Sequence, residues 1–443
     1  MTASTSFDFV RFGEDASAPG LTCINDPRAG PRQDPRMAAT VPRPSPRLLA
    51  AAPHRLMFFI GAGNLLLAMA WWAAWLAAQR WPGLLRVPQA ATYPGWLHAF
   101  VMQYQVLPSF FFGFLLTVFP RWMGLPEIAR RRYLPVGVGM FGGQAMTLLG
   151  ALGLQAALAA GLLMTLAGWG SGVWILGRLL LAERGRTWHA RSCFAAMVLG
   201  LSGVACFGAF LATGSPWWAL VAIKLGTFGL LLPVYLTVAH RMFPFFAGNA
   251  VPGYAAWRPM WVLAAAWTLA MAHLALELAH AYGWLWLADL PMLALSLFVL
   301  WRWWPRGPAP GLLSVLFVGL LWWPLTFALF SLQSLLYLGS GAFVLGRAPA
   351  HALFIGLFGS VLVAMVSRVT QGHSGRPLEM YGPAWFAFVG IQAVAAMRIA
   401  AELVPDALLW QALSALGWLL VLSPWVLRIG RIYLTPRIDG KPG

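Results

Sequence analysis

The sequence predicts an all-α fold, a polytopic transmembrane helical bundle of about twelve spans with both termini cytoplasmic. Three observations predict it. Hydrophobic residues make up 60% of the 443 positions and charged residues only 10%, against about 25% charged in soluble domains. Apolar runs close to the ~20 residues needed to cross a bilayer recur along the chain. The 30 Lys and Arg outnumber the 13 Asp and Glu, and they gather in alternate connections. A mean hydropathy of +0.71 excludes an ordinary soluble enzyme and a disordered chain. The net charge of +17 reads as retention of basic loops on the cytoplasmic side, not as a nucleic-acid footprint, because positive loops resist translocation.

Residues 1–50 differ from the rest. Pro27, Pro31, Pro35, Pro42, Pro44 and Pro46 stand among Arg, Ser and Ala with no periodic apolar face, the composition of a disordered cytoplasmic tail. Residues 51–443 form the transmembrane domain. The first long apolar run begins near Leu56, too late for a secretory signal, so it reads as a true span. The spans expected are 55–79, 96–120, 133–151, 155–180, 192–213, 217–239, 258–280, 283–301, 311–337, 348–368, 381–403 and 407–428. With the N-terminus inside, Arg80, Arg86 and Arg347 are the three basic residues that fall outside, and Lys224 and Arg398 lie within spans. The remaining 25 Lys and Arg are inside. A span too many or too few would scramble that alternation.

Charge within a bilayer is costly, so ionisable residues there are the candidates for chemistry. Cys23, Cys193 and Cys206 form no Cys-x-x-Cys pair, which removes covalent c-type haem and thiolate zinc sites. The eight His divide by side. His98, His273, His280 and His351 belong to the outer side; His54, His189, His240 and His373 belong to the inner side. His98 and His351 each begin a His-Ala span start. His273, Glu277 and His280 have the i, i+4, i+7 spacing of one helix face, a donor set suited to Zn, Cu or Fe. Glu277 has an alternative use, pairing with Lys224 or Arg398. On the inner side, His240-Arg241 closes span 6, and His373 and Arg376 lie in the turn-rich run Gly372-His373-Ser374-Gly375-Arg376-Pro377. Two imidazoles and their guanidinium neighbours can bind a metal or an acidic group there. The competing reading is an interfacial clamp on membrane lipid phosphate. Spans 2, 6 and 10 are four helices apart, a spacing compatible with three four-helix units.

These residues resemble the NnrS family. Trp96-Leu97-His98-Ala99 with Gly113-Phe114-Leu115-Leu116-Thr117-Val118-Phe119-Pro120-Arg121-Trp122 is similar to its second span. His240-Arg241-Met242-Phe243-Pro244-Phe245-Phe246-Ala247-Gly248-Asn249 resembles its Arg-x-x-Pro-x-Phe-Thr-x-Asn element. The most specific match is His351-Ala352-Leu353, Gly356 and Gly372-His373-Ser374-Gly375-Arg376-Pro377-Leu378; Pro53-His54-Arg55 also fits. The resemblance implies a haem- and copper-containing protein of the bacterial inner membrane, linked to nitric oxide metabolism or the nitrosative-stress response and served by an electron donor. The haem it implies is of b type, with His98 and His351 as axial ligands. His240, His373, Arg241 and Arg376 become candidates to hold a metal or haem propionates on the inner side, and His273/Glu277/His280 a second metal. One departure is visible. Phe100 and Val101 stand where the family has a second His and an acidic residue, which points to a lost or altered metal site.

Histidines on spans 2 and 10 are also similar to the placement of the low-spin haem in haem–copper oxidases. The chain has no His-His pair, so a full oxidase site is not expected. Two other function classes compete: a secondary transporter of a small anion or metal complex, with helices broken at the Gly/Pro runs of spans 3 and 6, and an assembly or stress-protection factor without turnover. Fusing a reporter that works only in the cytoplasm to the C-terminus should give a fully active fusion. A silent fusion with an active periplasmic counterpart would overturn the topology.

Overall fold

A computed structural model describes residues 44–440. Twelve helices in it are long and apolar enough to cross a membrane. They are α1 (Pro53–Arg80), α2 (Pro94–Trp122), α3 (Arg130–Ala151), α4 (Gln155–Glu183), α5 (Trp188–Thr213), α6 (Pro216–Ala250), α7 (Met260–Leu278), α8 (Tyr282–Trp303), α9 (Gly311–Ser340), α10 (Ala348–Ser374), α11 (Gly382–Ala400) and α12 (Ala407–Tyr433). The all-α, multi-pass architecture is therefore the one the composition requires. Most of the expected tail, residues 1–43, lies outside the described residues. Its last part is ordered, since Pro46–Ala51 forms a 3₁₀ turn.

Both described ends of the chain meet at one end of the bundle. Ser45 N–H donates to Leu434 O (2.8 Å), and Arg55 Nη1 donates to Tyr433 O (3.1 Å) and Thr435 O (2.9 Å). We call this the terminal end, and the opposite one the far end. At the far end Arg80 closes α1 onto Asp406 (3.0 Å). Asp406 also caps α12 by accepting from Leu409 N–H.

Three helices sit at the centre. In its most apolar stretch α2 is 89% buried, and α6 and α10 are 72% buried each, whereas α4 is 33% buried and shows Leu163, Trp174 and Leu181 to lipid. The same three helices, and no others among the described residues, contain π-helical turns: Val101–Val106, Leu225–Leu231 and Ala352–Gly359. A π turn shifts the i→i+4 ladder by one residue and releases a carbonyl for other donors. Trp169 Nε1 of α4 donates to Tyr104 O in the first turn (2.8 Å). Tyr235 Oη of α6 donates to Phe358 O in the third (3.1 Å). Tyr104 Oη of α2 donates to Ala222 O just before the second (2.5 Å), and Gln103 Nε2 donates to Thr227 Oγ1 (2.9 Å). The central trio is thus laced together.

Two boundaries differ from the sequence expectation. Span 6 does not end at His240-Arg241, because α6 continues to Ala250 with Pro244 inside it; the buried Phe243, Phe246 and Ala247 keep one face of this extension packed. The run from Gly372 is not a loop throughout, because α10 extends to Ser374 and stops where Gly375 takes φ +72°. The broken helices of the transporter reading are not formed either. α3 runs unbroken, and α6 contains a π turn in place of an unwound segment.

Tyr104→Phe and Tyr235→Phe should each lower stability in detergent by on the order of 1 kcal/mol, the scale of interhelical hydrogen bonds in membranes. Tyr93→Phe, at an exposed ring, should change nothing. Equal melting temperatures for all three variants and the parent would show that these bonds do not hold the trio.

Candidate metal and charge sites at the two ends of the bundle

At the far end, α2 delivers His98 and α10 delivers His351. The His98 ring stacks on Trp72 of α1 (centroids 4.3 Å, planes 13° apart), and its Nδ1 is buried without a hydrogen-bond partner. His351 Nδ1 donates to Arg347 O one turn earlier (2.9 Å), which leaves Nε2 as the lone-pair nitrogen. That arrangement, one ring nitrogen anchored to a carbonyl and the other free, is the one seen in metal-ligating histidines. The two imidazoles stand within electrostatic reach of one another, and both feel Arg398 and Arg347. Arg398 is itself held by Glu402 (2.6 Å).

The expected His273/Glu277/His280 face is not assembled. α7 ends at Leu278, and His280 lies beyond it with φ +54°, bonded through Nδ1 to Tyr282 Oη (2.6 Å). Glu277 has taken its alternative partner, Lys224 Nζ of α6, at 2.7 Å; the ammonium occupies the carboxylate that a metal would need. His273 is fully buried. Its Nδ1 faces Asp289 Oδ1 of α8 at 2.6 Å, and its Nε2 lies 3.4 Å from Glu277 Oε1, close enough for charge pairing but poorly aligned for a hydrogen bond. Among the described residues no group of three or more His, Cys, Asp or Glu is placed to hold a metal.

The four terminal-end histidines form two pairs. His240 Nε2 donates to Pro259 O (3.0 Å), so its Nδ1 must accept, and it does so from His189 Nε2 (2.9 Å). Both nitrogens of His240 are therefore engaged. His54 and His373 are in ring contact (centroids 4.4 Å). His373 Nδ1 donates to Val369 O, and Nε2 accepts from Arg121 Nη1 at 3.3 Å. His240 and His373 are not brought together. His240 turns toward α5 and the α6–α7 connection, whereas His373 turns toward α1 and α2.

Arginines link the central trio at this end in a closed order. Arg121 of α2 reaches His373 of α10. Arg368 of α10 lies over the Phe246 ring of α6 (3.9 Å). Arg241 of α6 lies over the Trp122 ring of α2 (4.5 Å). Aromatic faces attract these cations without neutralising them, and among the described residues neither Arg241 nor Arg368 has a carboxylate at ion-pair distance. Arg376 leaves Nη1 buried and unpartnered. Between this end and the π turns lies an apolar cavity of about 60 Å³, lined by Phe110 and Phe114 of α2, Tyr235 and Val238 of α6, and Met365 and Val369 of α10.

The family model described as NnrS protein matches residues 48–437. The chain belongs to the NnrS family. No individually curated protein matches it. Within this NnrS chain, sequence reasoning missed Asp289, the second carboxylate on His273, and Arg121 and Arg368 as members of the closed order. A signal for the arginines existed: Leu116-Thr117-Val118-x-x-Arg121 and Leu236-Thr237-Val238-x-x-Arg241 repeat, and Arg368 closes the corresponding stretch of α10. Asp289 gave none, because it opens an otherwise ordinary apolar span.

Lys224→Met should lower the unfolding free energy of this NnrS protein toward the lower end of about 3–5 kcal/mol, because Glu277 is left charged and buried. Adding Glu277→Leu should restore most of the loss. Denaturant unfolding in detergent reads both, and a single variant as stable as the parent would remove the ion pair from the framework.

Proposed function

We propose that this NnrS-family membrane protein binds a b-type haem through His98 and His351 and acts on nitric oxide or a related small molecule, in the bacterial inner membrane with both termini cytoplasmic. The observation that supports it is the far-end pair of imidazoles: His351 with Nδ1 anchored and Nε2 free, His98 with a buried unpartnered Nδ1. These two imidazoles would be the residues to hold a haem iron. A haem so held supplies a one-electron couple, which an external electron donor would serve. Trp72 fixes the plane of the His98 ring, and the Arg347 carbonyl fixes the tautomer of His351. The apolar cavity among α2, α6 and α10 favours small uncharged molecules over ions, because a site lined this way offers an ion no compensation for lost hydration.

The donor chemistry fits copper less well. His273 is committed to Asp289 and Glu277, and Lys224 holds Glu277. In the His54–His373 pair only His54 offers a free nitrogen, its buried Nδ1, because both ring nitrogens of His373 are engaged by Val369 O and Arg121 Nη1. The terminal-end guanidinium groups, Arg241 and Arg376 included, lie at the opposite end of the bundle from His98 and His351, so they fit phosphate oxygens of membrane lipid rather than the propionates of a haem held there.

An optical spectrum of the purified protein tests the reading. The Soret band should be present in the parent, retained in His280→Ala, and lost in His98→Ala/His351→Ala. A band unchanged in the double variant would overturn the assignment.

A further inference from the structure

The expected three-donor face of α7 is not formed, yet two of its donors keep the geometry of a metal site. His273 and Glu277 share one face of α7 at i, i+4, with Nε2 and Oε1 3.4 Å apart. That separation is poor for a hydrogen bond. It is about the edge of a tetrahedron whose corners lie ~2.0–2.1 Å from its centre, the bond length of zinc to imidazole or carboxylate. Nδ1 of the same ring is held by Asp289 Oδ1 at 2.6 Å, the carboxylate–imidazole pairing that orients metal-ligating histidines. His273 has no exposed surface, and its Nε2 is buried with no hydrogen-bond partner. Phe228 of α6 (centroids 3.9 Å) and Phe330 of α9 (5.0 Å) fix the ring. The cation beside these donors is an ammonium: Lys224 Nζ of α6 lies 2.7 Å from Glu277 Oε1.

We propose that Lys224 is a built-in substitute for a divalent metal ion: this chain keeps the donor geometry of a zinc- or copper-type site on α7 and fills it with its own ammonium. The second metal implied by the resemblance is therefore not bound there. The far-end imidazoles His98 and His351 take no part in this site, so the proposal stands apart from the haem reading.

Charge counting supports the substitution. Net charge within a bilayer is costly, and with Glu277 and Asp289 ionised two positive charges make the cluster neutral. Lys224 supplies one, and a proton held on His273 or Asp289 supplies the other. A divalent ion would supply both at once. The exchange balances: the ion gains bonds to Nε2 and Oε1, the ammonium leaves the carboxylate, and the extra proton passes to water while Nδ1 keeps its hydrogen toward Asp289. The way in lies on the lysine side, because the Lys224 side chain is 26% exposed, against 5% for Glu277 and 0% for His273. Water entering there would complete the coordination of an ion with two protein donors. Lys224 is tethered, so it competes at a high effective concentration, and a free ion does not displace it.

The test measures zinc bound per chain by elemental analysis, in full-length protein incubated with Zn²⁺ and freed of excess ion. The parent and His273→Gln should hold equal amounts. Lys224→Ala should hold one zinc per chain more than the parent, and Lys224→Ala/His273→Gln should lose it again. Zn²⁺ should also raise the melting temperature of Lys224→Ala toward that of the parent. Lys224→Gln, closer to lysine in bulk, serves for the same measurement where the alanine variant does not fold. Less zinc in His273→Gln than in the parent would reveal a native metal at this place and overturn the proposal. A lysine variant that gains no zinc, or that keeps its gain without His273, would overturn the metal-type geometry. A merely structural ion pair would give lysine variants whose loss of stability zinc does not relieve.

Discussion

Hydrocarbon offers no hydrogen-bond partner, so every polar group that enters the bilayer must be satisfied by the protein itself. In the centre of this bundle that constraint is met by the backbone as much as by side chains. The π turns of α2 and α10 expose carbonyls, and indole and phenol groups from neighbouring helices fill them. An aromatic side chain with one polar atom suits the task, because its ring packs as a hydrophobe while its hydroxyl or N–H binds the freed carbonyl. Trp169 and Tyr235 are buried for this reason, and the central helices approach closely where they are. Gly203 and Gly226 make room for Tyr104: a Cβ at Gly203 would fall 2.0 Å from its Oη, and one at Gly226 would fall 2.8 Å from it.

Charge is treated differently at the two ends. At the far end, cations are paired with acids: Lys224 with Glu277, Arg398 with Glu402, Arg80 with Asp406. At the terminal end, beside the ion pairs Arg121–Glu127 and Arg437–Asp439, several are set over aromatic rings, as with Arg191 on Trp188, Arg241 on Trp122, Arg302 on Trp257 and Arg368 on Phe246. An acid cancels a cation's field, whereas a ring stabilises it and leaves the field in place. The terminal end therefore presents net positive charge to whatever lies beside it. This same end receives most of the basic connections, so the asymmetry read from the sequence as a topology signal is also a property of the folded surface.

The spans were legible because each is a local pattern: about 20 apolar residues followed by a charged or turn-rich break. Assignment of the histidines to sides followed from the span count alone. What the sequence withheld was every relation between spans. His189–His240 joins the consecutive helices α5 and α6, and His54–His373 joins α1 to α10; neither pairing leaves a trace in periodicity. The His273/Glu277/His280 face misled for a local reason, since the i+7 member presumes a helix that persists to residue 280 and α7 stops two residues short. Lys224 was weighed as Glu277's partner and holds it. Asp289, the strongest partner of His273, went unnoticed because one acid at a span start resembles an interfacial residue.

The three central helices share one longitudinal plan. Each carries a titratable nitrogen toward the far end and an arginine toward the terminal end: His98 and Arg121 on α2, Lys224 and Arg241 on α6, His351 and Arg368 on α10. The intervals are 23, 17 and 17 residues, or about 26–35 Å at 1.5 Å per residue, close to the ~30 Å hydrocarbon thickness of a bilayer. No Asp, Glu, Lys or Arg lies between the two markers on any of them. The polar groups they carry there, such as Gln103, Thr227 and Tyr235, are bonded to one another or to freed carbonyls. The apolar cavity occupies the terminal half of this uncharged stretch, so an ion moving toward it along the trio would leave one ring of charges and meet no other before the far end. The plan that keeps three helices stable in lipid thus also leaves an uncharged, apolar centre between two charged boundaries.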